Sequence, residues 1–131
     1  MILVVDTNVW ISALHFGGAG GIPFRALTRA ATEHTIATCV ELDDEIVRVL
    51  KFRCDWSDTR IATAMRDALR RATRVTLQNT VHLCRDPDDN KILECAERAR
   101  ASLIVTGDKD LLSLRTHRRT RIVTPASYLR I

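Results

Sequence analysis

Four acidic side chains fall at positions from which they could share one metal site. Asp6 and Asp108 each follow a short apolar run, Asp89 opens an amphipathic stretch, and Glu45 sits inside another. In a parallel α/β sheet, ligands bind beside the carboxyl ends of the strands. The two strand-end aspartates and the two helical carboxylates are therefore expected to meet in one cleft. Clustered carboxylates raise one another's pKa unless a cation neutralises them, and all-oxygen clusters suit Mg²⁺ or Mn²⁺.

The two helical carboxylates interrupt apolar stripes. Glu45 lies three residues after Leu42 and shares the apolar face of its helix. A charge on such a stripe marks a functional site, or else a glutamate at the edge of the stripe that reaches solvent. Asp89 lies three residues before Ile92, in a first turn where the helix dipole favours an anion. Helical periodicity alone does not distinguish Asp89 from Asp88 as the site residue, and Asp88 is the better candidate for the N-cap of the helix.

The two strand-end aspartates also have alternative structural roles. Asp6 could cap the next helix, and Asn8 could serve as a cap or as a neutral oxygen beside a metal. Gly107 permits a close approach of the backbone to a site at Asp108. Asp110 is either a fifth acid with an auxiliary role or the cap of the following helix. No single acid decides the matter, but four on one predicted edge indicate a metal centre.

The charge of the chain favours a polyanionic partner. The 131 residues carry a formal net charge of +4, and metal-bound carboxylates would leave the remainder more positive. A carboxylate metal site on an otherwise basic protein indicates a metal-dependent nuclease. The first candidate phosphate contacts follow the fourth acid and are Arg115, Arg118, Arg119 and Arg121. The alternative set is Arg66, Arg70, Arg71 and Arg74; either set could instead be a solvated surface.

Other classes of protein fit the sequence poorly. The four cysteines show no C-x-x-C spacing, so a zinc knuckle or dithiol redox centre is not expected. We expect neither a signal peptide nor a membrane span, and the simplest location is the cytoplasm with reduced thiols. The length and the 46% hydrophobic content predict one globular domain over residues 1–131.

Apolar periodicity predicts an alternating α/β chain. Strands are expected over 2–5, 35–40, 81–83, 103–106 and 122–124, and a glycine-rich loop over 17–21. Helices are expected over 8–14, 24–33, 42–50, 58–71, 88–100, 110–114 and 125–129. This alternation predicts a three-layer α/β/α fold around a five-stranded parallel sheet.

Together these segments resemble the PIN-domain nucleases, and in particular the VapC-like toxins of bacterial and archaeal toxin–antitoxin pairs. The resemblance runs through residues 4–9, 41–50, 86–93, 104–112 and 122–125. Its most specific parts are Asp-Pro-Asp-Asp-Asn-Lys-Ile-Leu at 86–93 and Ile-Val-Thr-Gly-Asp-Lys-Asp at 104–110. One departure is Cys39, where relatives often have a serine that caps the next helix.

The resemblance implies roles for individual residues. It aligns the four family acids with Asp6, Glu45, Asp89 and Asp108, so it selects Asp89 over Asp88. It also aligns Asn8 and Thr106 with polar positions that support the metal site. It implies a ribonuclease that uses Mg²⁺ or Mn²⁺, acts on single-stranded or structured RNA, forms homodimers and binds a cognate antitoxin. The alternative is a non-catalytic RNA-binding or protein-interaction module that retains the PIN fold.

Overall fold

The computed structural model describes residues 1–16, 18 and 20–131. In these residues six strands form one sheet, in the order β3-β2-β1-β4-β6-β5. The strands are β1 (Ile2–Val5), β2 (Thr35–Thr38), β3 (Thr73–Arg74), β4 (Leu103–Val105), β5 (Thr116–His117) and β6 (Thr120–Val123). Five of them are parallel, as predicted, whereas β5 pairs antiparallel with β6 at one edge. The predicted count of five strands is therefore one too few.

Seven helices alternate with the strands in the described part of the chain. They are α1 (Thr7–Ile11), α2 (Ile22–Glu33), α3 (Val40–Phe52), α4 (Asp58–Ala68), α5 (Pro87–Ala99), α6 (Lys109–Leu114) and α7 (Pro125–Leu129). A π-helical turn over Ser12–Phe16 extends α1. Within the predicted glycine loop at 17–21, Gly17 and Ala19 lie outside the described residues. Each described helix is too short or too polar to span a lipid bilayer.

The core lies on both faces of the sheet. Successive strand residues point to opposite faces, so Leu3 packs with Trp10 and Tyr128, whereas Val4 packs with Leu93 and Ile104. The first group joins α1, α2, α4, α7 and most of α3 to one face, and the second joins α5, α6 and the start of α3 to the other. This arrangement confirms the predicted three-layer fold.

The predicted third strand at 81–83 is wrong, because the third parallel strand is the two-residue β3. Residues near 78–84 are irregular, and side chains of α5 bind their backbone. The buried Glu94 carboxylate accepts from the amides of Gln78 (2.6 Å) and Thr80 (3.1 Å). Asn90 Oδ1 accepts from the amides of Leu83 (3.0 Å) and Cys84 (2.7 Å). These bonds replace those of a strand.

Replacing Glu94 by glutamine is expected to lower the free energy of unfolding by about 2–4 kcal/mol. Arg98 Nε also donates to Glu94 Oε2 at 2.7 Å, and these donors lower the pKa of this carboxyl. The neutral side-chain amide of glutamine has one accepting oxygen where the carboxylate has two, so it cannot accept all three bonds. Arg98 also loses the negative charge with which it pairs. Urea denaturation measures the change. Glu33→Gln, on an exposed carboxyl of α2, is the matched control, and an equal loss in both variants would contradict the assignment.

Candidate metal centre

Three carboxylates converge at the carboxyl edge of the sheet. Oxygens of Asp89, Asp108 and Asp110 all lie within 4.8 Å of one another. Asp89 is buried in the first turn of α5, and Asp108 is the N-cap of α6, where its Oδ1 accepts from the Asp110 amide at 2.9 Å. The cap is therefore Asp108, and Asp110 stands in the first turn as an additional acid.

Asp6 joins this group through Thr106. The sheet ladder continues past β1, because the Asp6 amide donates to the Val105 carbonyl at 2.9 Å. Thr106 Oγ1 then donates to Asp6 Oδ2 at 2.6 Å and accepts from the Asp108 amide at 3.0 Å. One buried hydroxyl thus sets the positions of both strand-end aspartates. Asp6 occupies the N-cap position of α1, but its side chain makes no capping hydrogen bond of normal geometry to that helix.

Burial and mutual repulsion raise the pKa of the central carboxyls. The pKa of Asp89 rises to about 7, chiefly through burial and then through the neighbouring charges of Asp108, Asp86 and Asp6. Burial also raises the pKa of Asp6, which the Thr106 hydroxyl partly offsets. Such a cluster gains from a cation that neutralises it.

Glu45 lies outside the group of three converging carboxylates, although the charge of Asp6 acts on it. It is half-buried on α3, and its pKa is raised by burial and by the charges of Asp88 and Asp6. The buried Thr7 hydroxyl lies close enough to oppose that rise, although it has no hydrogen-bond partner of normal geometry among the described residues. Thr7 was not among the predicted site residues; its place directly after Asp6 was the available signal. Asn8 is exposed and lines the same cleft as Glu45.

The start of α5 differs from the prediction in its cap. Asp86, rather than Asp88, is the N-cap and accepts from the Asp88 amide at 3.0 Å. Asp88 is exposed and lies 3.4 Å from Lys91 Nζ. Asp89 is the carboxylate of this group that faces the cluster, because the helix turns its side chain toward Asp108.

The first set of arginines lies far from the carboxylates. Arg121 pairs with Leu103 at the amino-terminal end of β4, and Arg118 and Arg119 form the turn between β5 and β6. Arg118 lies 3.3 Å from Glu97, which is two turns of α5 beyond Asp89, or about 12 Å along the helix axis. These arginines and Arg115 therefore occupy the edge of the sheet opposite the acids.

The second set of arginines is divided among three partners, and Arg71 donates to the Thr32 carbonyl at 2.8 Å. Arg74, at the carboxyl end of β3, pairs with Asp43, which also accepts from Thr38 Oγ1 at 2.5 Å. Arg66 and Arg70 flank Asp67 on α4. As expected from the departure at Cys39, α3 begins without a side-chain cap.

Comparison with known proteins identifies the family of the chain. A protein-family model described as PIN domain matches residues 2–110. The chain is 31% identical over 121 residues to the uncharacterized protein MJ1680 of Methanocaldococcus jannaschii, covering 86% of this chain and 74% of the relative. The crystal structure of VapBC2 from Rickettsia felis bound to a promoter DNA fragment contains a similar fold. The TM-score is 0.58 and the identity 14%, over 93% of this chain and 97% of that one. The family match covers most of the sequence and includes Asp6, Glu45, Asp89 and Asp108, and the chain therefore belongs to the PIN domain family.

Proposed function

We propose that this protein is a metal-dependent endoribonuclease that hydrolyses RNA phosphodiester bonds. The observation that carries the proposal is the convergence of Asp89, Asp108 and Asp110 within 4.8 Å, beside Asp6 and its bridge through Thr106. Membership of the PIN family supports nuclease chemistry on nucleic acid. A purely structural role would not favour so many carboxylates at one partly buried place.

The donor set suits Mg²⁺ or Mn²⁺. Ligand oxygens at about 2.1 Å from Mg²⁺ lie at most about 4.2 Å apart. The oxygens within 4.8 Å need only small side-chain movements to reach that spacing. Asp6, Asp89 and Asp108 would hold the ion directly or through water, with Asp110 auxiliary and Glu45 holding a second ion or the attacking water. When bound, the cation polarises the phosphate and lowers the pKa of a bound water.

The remaining chemistry belongs to the side chains. Glu45, with its raised pKa, is placed to accept a proton from water better than an ordinary glutamate would. Thr106 keeps Asp6 and Asp108 in fixed orientations through its two hydrogen bonds. The Thr7 hydroxyl and the exposed Asn8 offer neutral oxygens beside Glu45. No histidine or lysine is required as a base.

We further propose that the enzyme is the toxin of a toxin–antitoxin pair and forms a homodimer. The similarity of fold to the VapBC2 structure supports an antitoxin protein as partner. Because Arg115, Arg118, Arg119 and Arg121 lie opposite the acids, we assign them to phosphates distant from the cleaved bond.

Cleavage of RNA with and without metal tests the proposed function. The purified protein is expected to cut single-stranded RNA in Mg²⁺ or Mn²⁺ and to be inactive in EDTA. The double variant Asp6→Asn, Asp108→Asn should stay inactive in metal, because it removes two of the three carboxylates that would hold the ion. If the parent protein binds RNA but never cleaves it with either metal, the alternative of a non-catalytic PIN module is correct.

A further inference from the structure

We propose that the cleft between α1 and α3 binds unpaired nucleotides next to the scissile phosphate. The inference rests on the proposed ribonuclease function and names the substrate form that the site accepts. The cleft has a volume of about 600 Å³ and begins at Glu45. Besides Glu45, the residues that matter to the argument are Asn8, Phe16, Arg48, Phe52 and Arg53.

One face of α3 leads from the acids into this cleft. Glu45, Arg48 and Phe52 lie at positions i, i+3 and i+7, so they stand above one another on the helix. Arg48 is one turn from Glu45, and Phe52 is about 10 Å from it along the axis. That length matches about three stacked nucleotides at 3.4 Å of rise each. A strand with a phosphate beside Glu45 can therefore place neighbouring bases beside Phe52.

Two exposed phenylalanine rings supply stacking surfaces in the cleft. Phe16 is 76% exposed and Phe52 is 75% exposed, although both are large apolar side chains. Exposed aromatic rings beside basic groups are the usual platform for single-stranded nucleic acid, because every base offers a flat face. Paired bases inside a duplex do not offer that face. The two rings therefore favour unpaired substrate.

The arginines of the cleft are available for phosphates. Arg48 and Arg53 are exposed, and neither forms an ion pair with an acid in the described part of the chain. By contrast, Arg74 is paired with Asp43, and Arg118 with Glu97. Phosphate binding at Arg48 and Arg53 would cost no existing ion pair. Two cations without an ion-pair partner among the described residues, beside two flat rings, match the phosphates and the base faces of a nucleic-acid strand.

The test measures binding without cleavage, using Asp89→Asn as the parent protein and a short labelled oligouridylate in Mg²⁺. Adding Phe16→Ala and Phe52→Ala is expected to weaken binding by about tenfold or more for each stacked base. An oligomer without bases should bind the parent weakly. Its affinity for the double phenylalanine variant should be only slightly lower. A variant with Phe52→Trp in place of the two alanine substitutions retains an aromatic ring at this position and should bind the oligouridylate as the parent does. Val40→Ala, an equally exposed apolar site on α3 outside the cleft, is the matched control.

Salt dependence tests the arginines in the same assay. Arg48→Gln with Arg53→Gln should reduce the log–log salt slope by about 0.7 for each phosphate that the variant no longer binds, whereas Arg130→Gln, at the far end of α7, should leave it unchanged. Melting temperatures check that each variant is folded.

An unchanged Kd and slope in the cleft variants, while the wild-type chain cleaves RNA, would overturn this inference alone. If the cleft variants bind RNA normally but no longer form a complex with an antitoxin, the cleft binds a protein instead of RNA. Wild-type protein that neither binds nor cleaves RNA would overturn the proposed function as well.

Discussion

Asp89→Asn is expected to reduce RNA cleavage by at least about a hundredfold, since even the loss of a residue that only supports a metal ligand costs 10- to 100-fold. Asp89 is buried beside Asp108 and Asp110. Its negative charge would therefore attract a cation bound between these carboxylates. The fold should be retained, because the substitution removes a repulsive charge from a buried position. Single-turnover cleavage at saturating Mg²⁺ measures the loss.

Asp88→Asn is the matched control for this prediction. Asp88 is the preceding residue and carries the same charge, but it is exposed, pairs with Lys91 and acts on the site only through its effect on the pKa of Glu45. We expect this variant to keep most of its activity and to lose no more than about 1 kcal/mol of stability. A larger loss of cleavage in Asp88→Asn than in Asp89→Asn would mean that the site is displaced by one residue.

The strand-end acids were predictable because their positions follow from backbone geometry. A buried parallel strand ends at the binding edge of its sheet, and the apolar runs before Asp6 and Thr106 identify two adjacent strands. The structure places both ends side by side, with Val5 and Val105 paired. Periodicity alone left Asp88 and Asp89 as alternatives, and the resemblance to the PIN family selected Asp89, which is the one that faces the cluster.

The location of the arginines was not predictable from closeness in sequence. Arg115 and Arg118 follow Asp108 within ten residues, but α6 carries the chain back across the sheet before β5 begins. Since β6 runs parallel to β4, its first residues must lie at the opposite edge. The topology of the crossover therefore separates the arginines from the acids.

The prediction of the third strand was wrong for a different reason. β3 has two residues, half-buried and exposed, so it leaves no apolar pattern in the sequence. The apolar residues at 81–83 were mistaken for it, although their backbone is held by α5. The buried Glu94 that binds the same segment was also missed, because a side chain that pairs with irregular backbone has no periodic signature.

Without metal, the stability of the protein is expected to decrease between about pH 4 and pH 7 relative to Asp89→Asn, and to level off above pH 7. The folded-state pKa of Asp89 is about 7, above its ordinary value of 3.8. Between these two values the unfolded chain ionises while the folded protein keeps the proton, so the free energy of unfolding falls by up to about 1.4 kcal/mol for each unit of pKa difference. His34 has a lowered pKa and opposes this trend below pH 6.5, so the comparison must be the difference between parent and variant. Urea denaturation at several pH values supplies it.

Magnesium should reverse this loss, because it binds the ionised carboxylates of the folded state alone. At a concentration of 100 times Kd it stabilises by about 2.7 kcal/mol, which corresponds to a rise in melting temperature of about 8 °C for a domain of this size. The rise should be larger at pH 8 than at pH 5, where protons compete for Asp89. In the double variant Asp6→Asn, Asp108→Asn most of the rise should disappear, whereas Asp88→Asn should retain it. A metal response that is independent of pH, or one that survives in the double variant, would place the ion elsewhere on the protein.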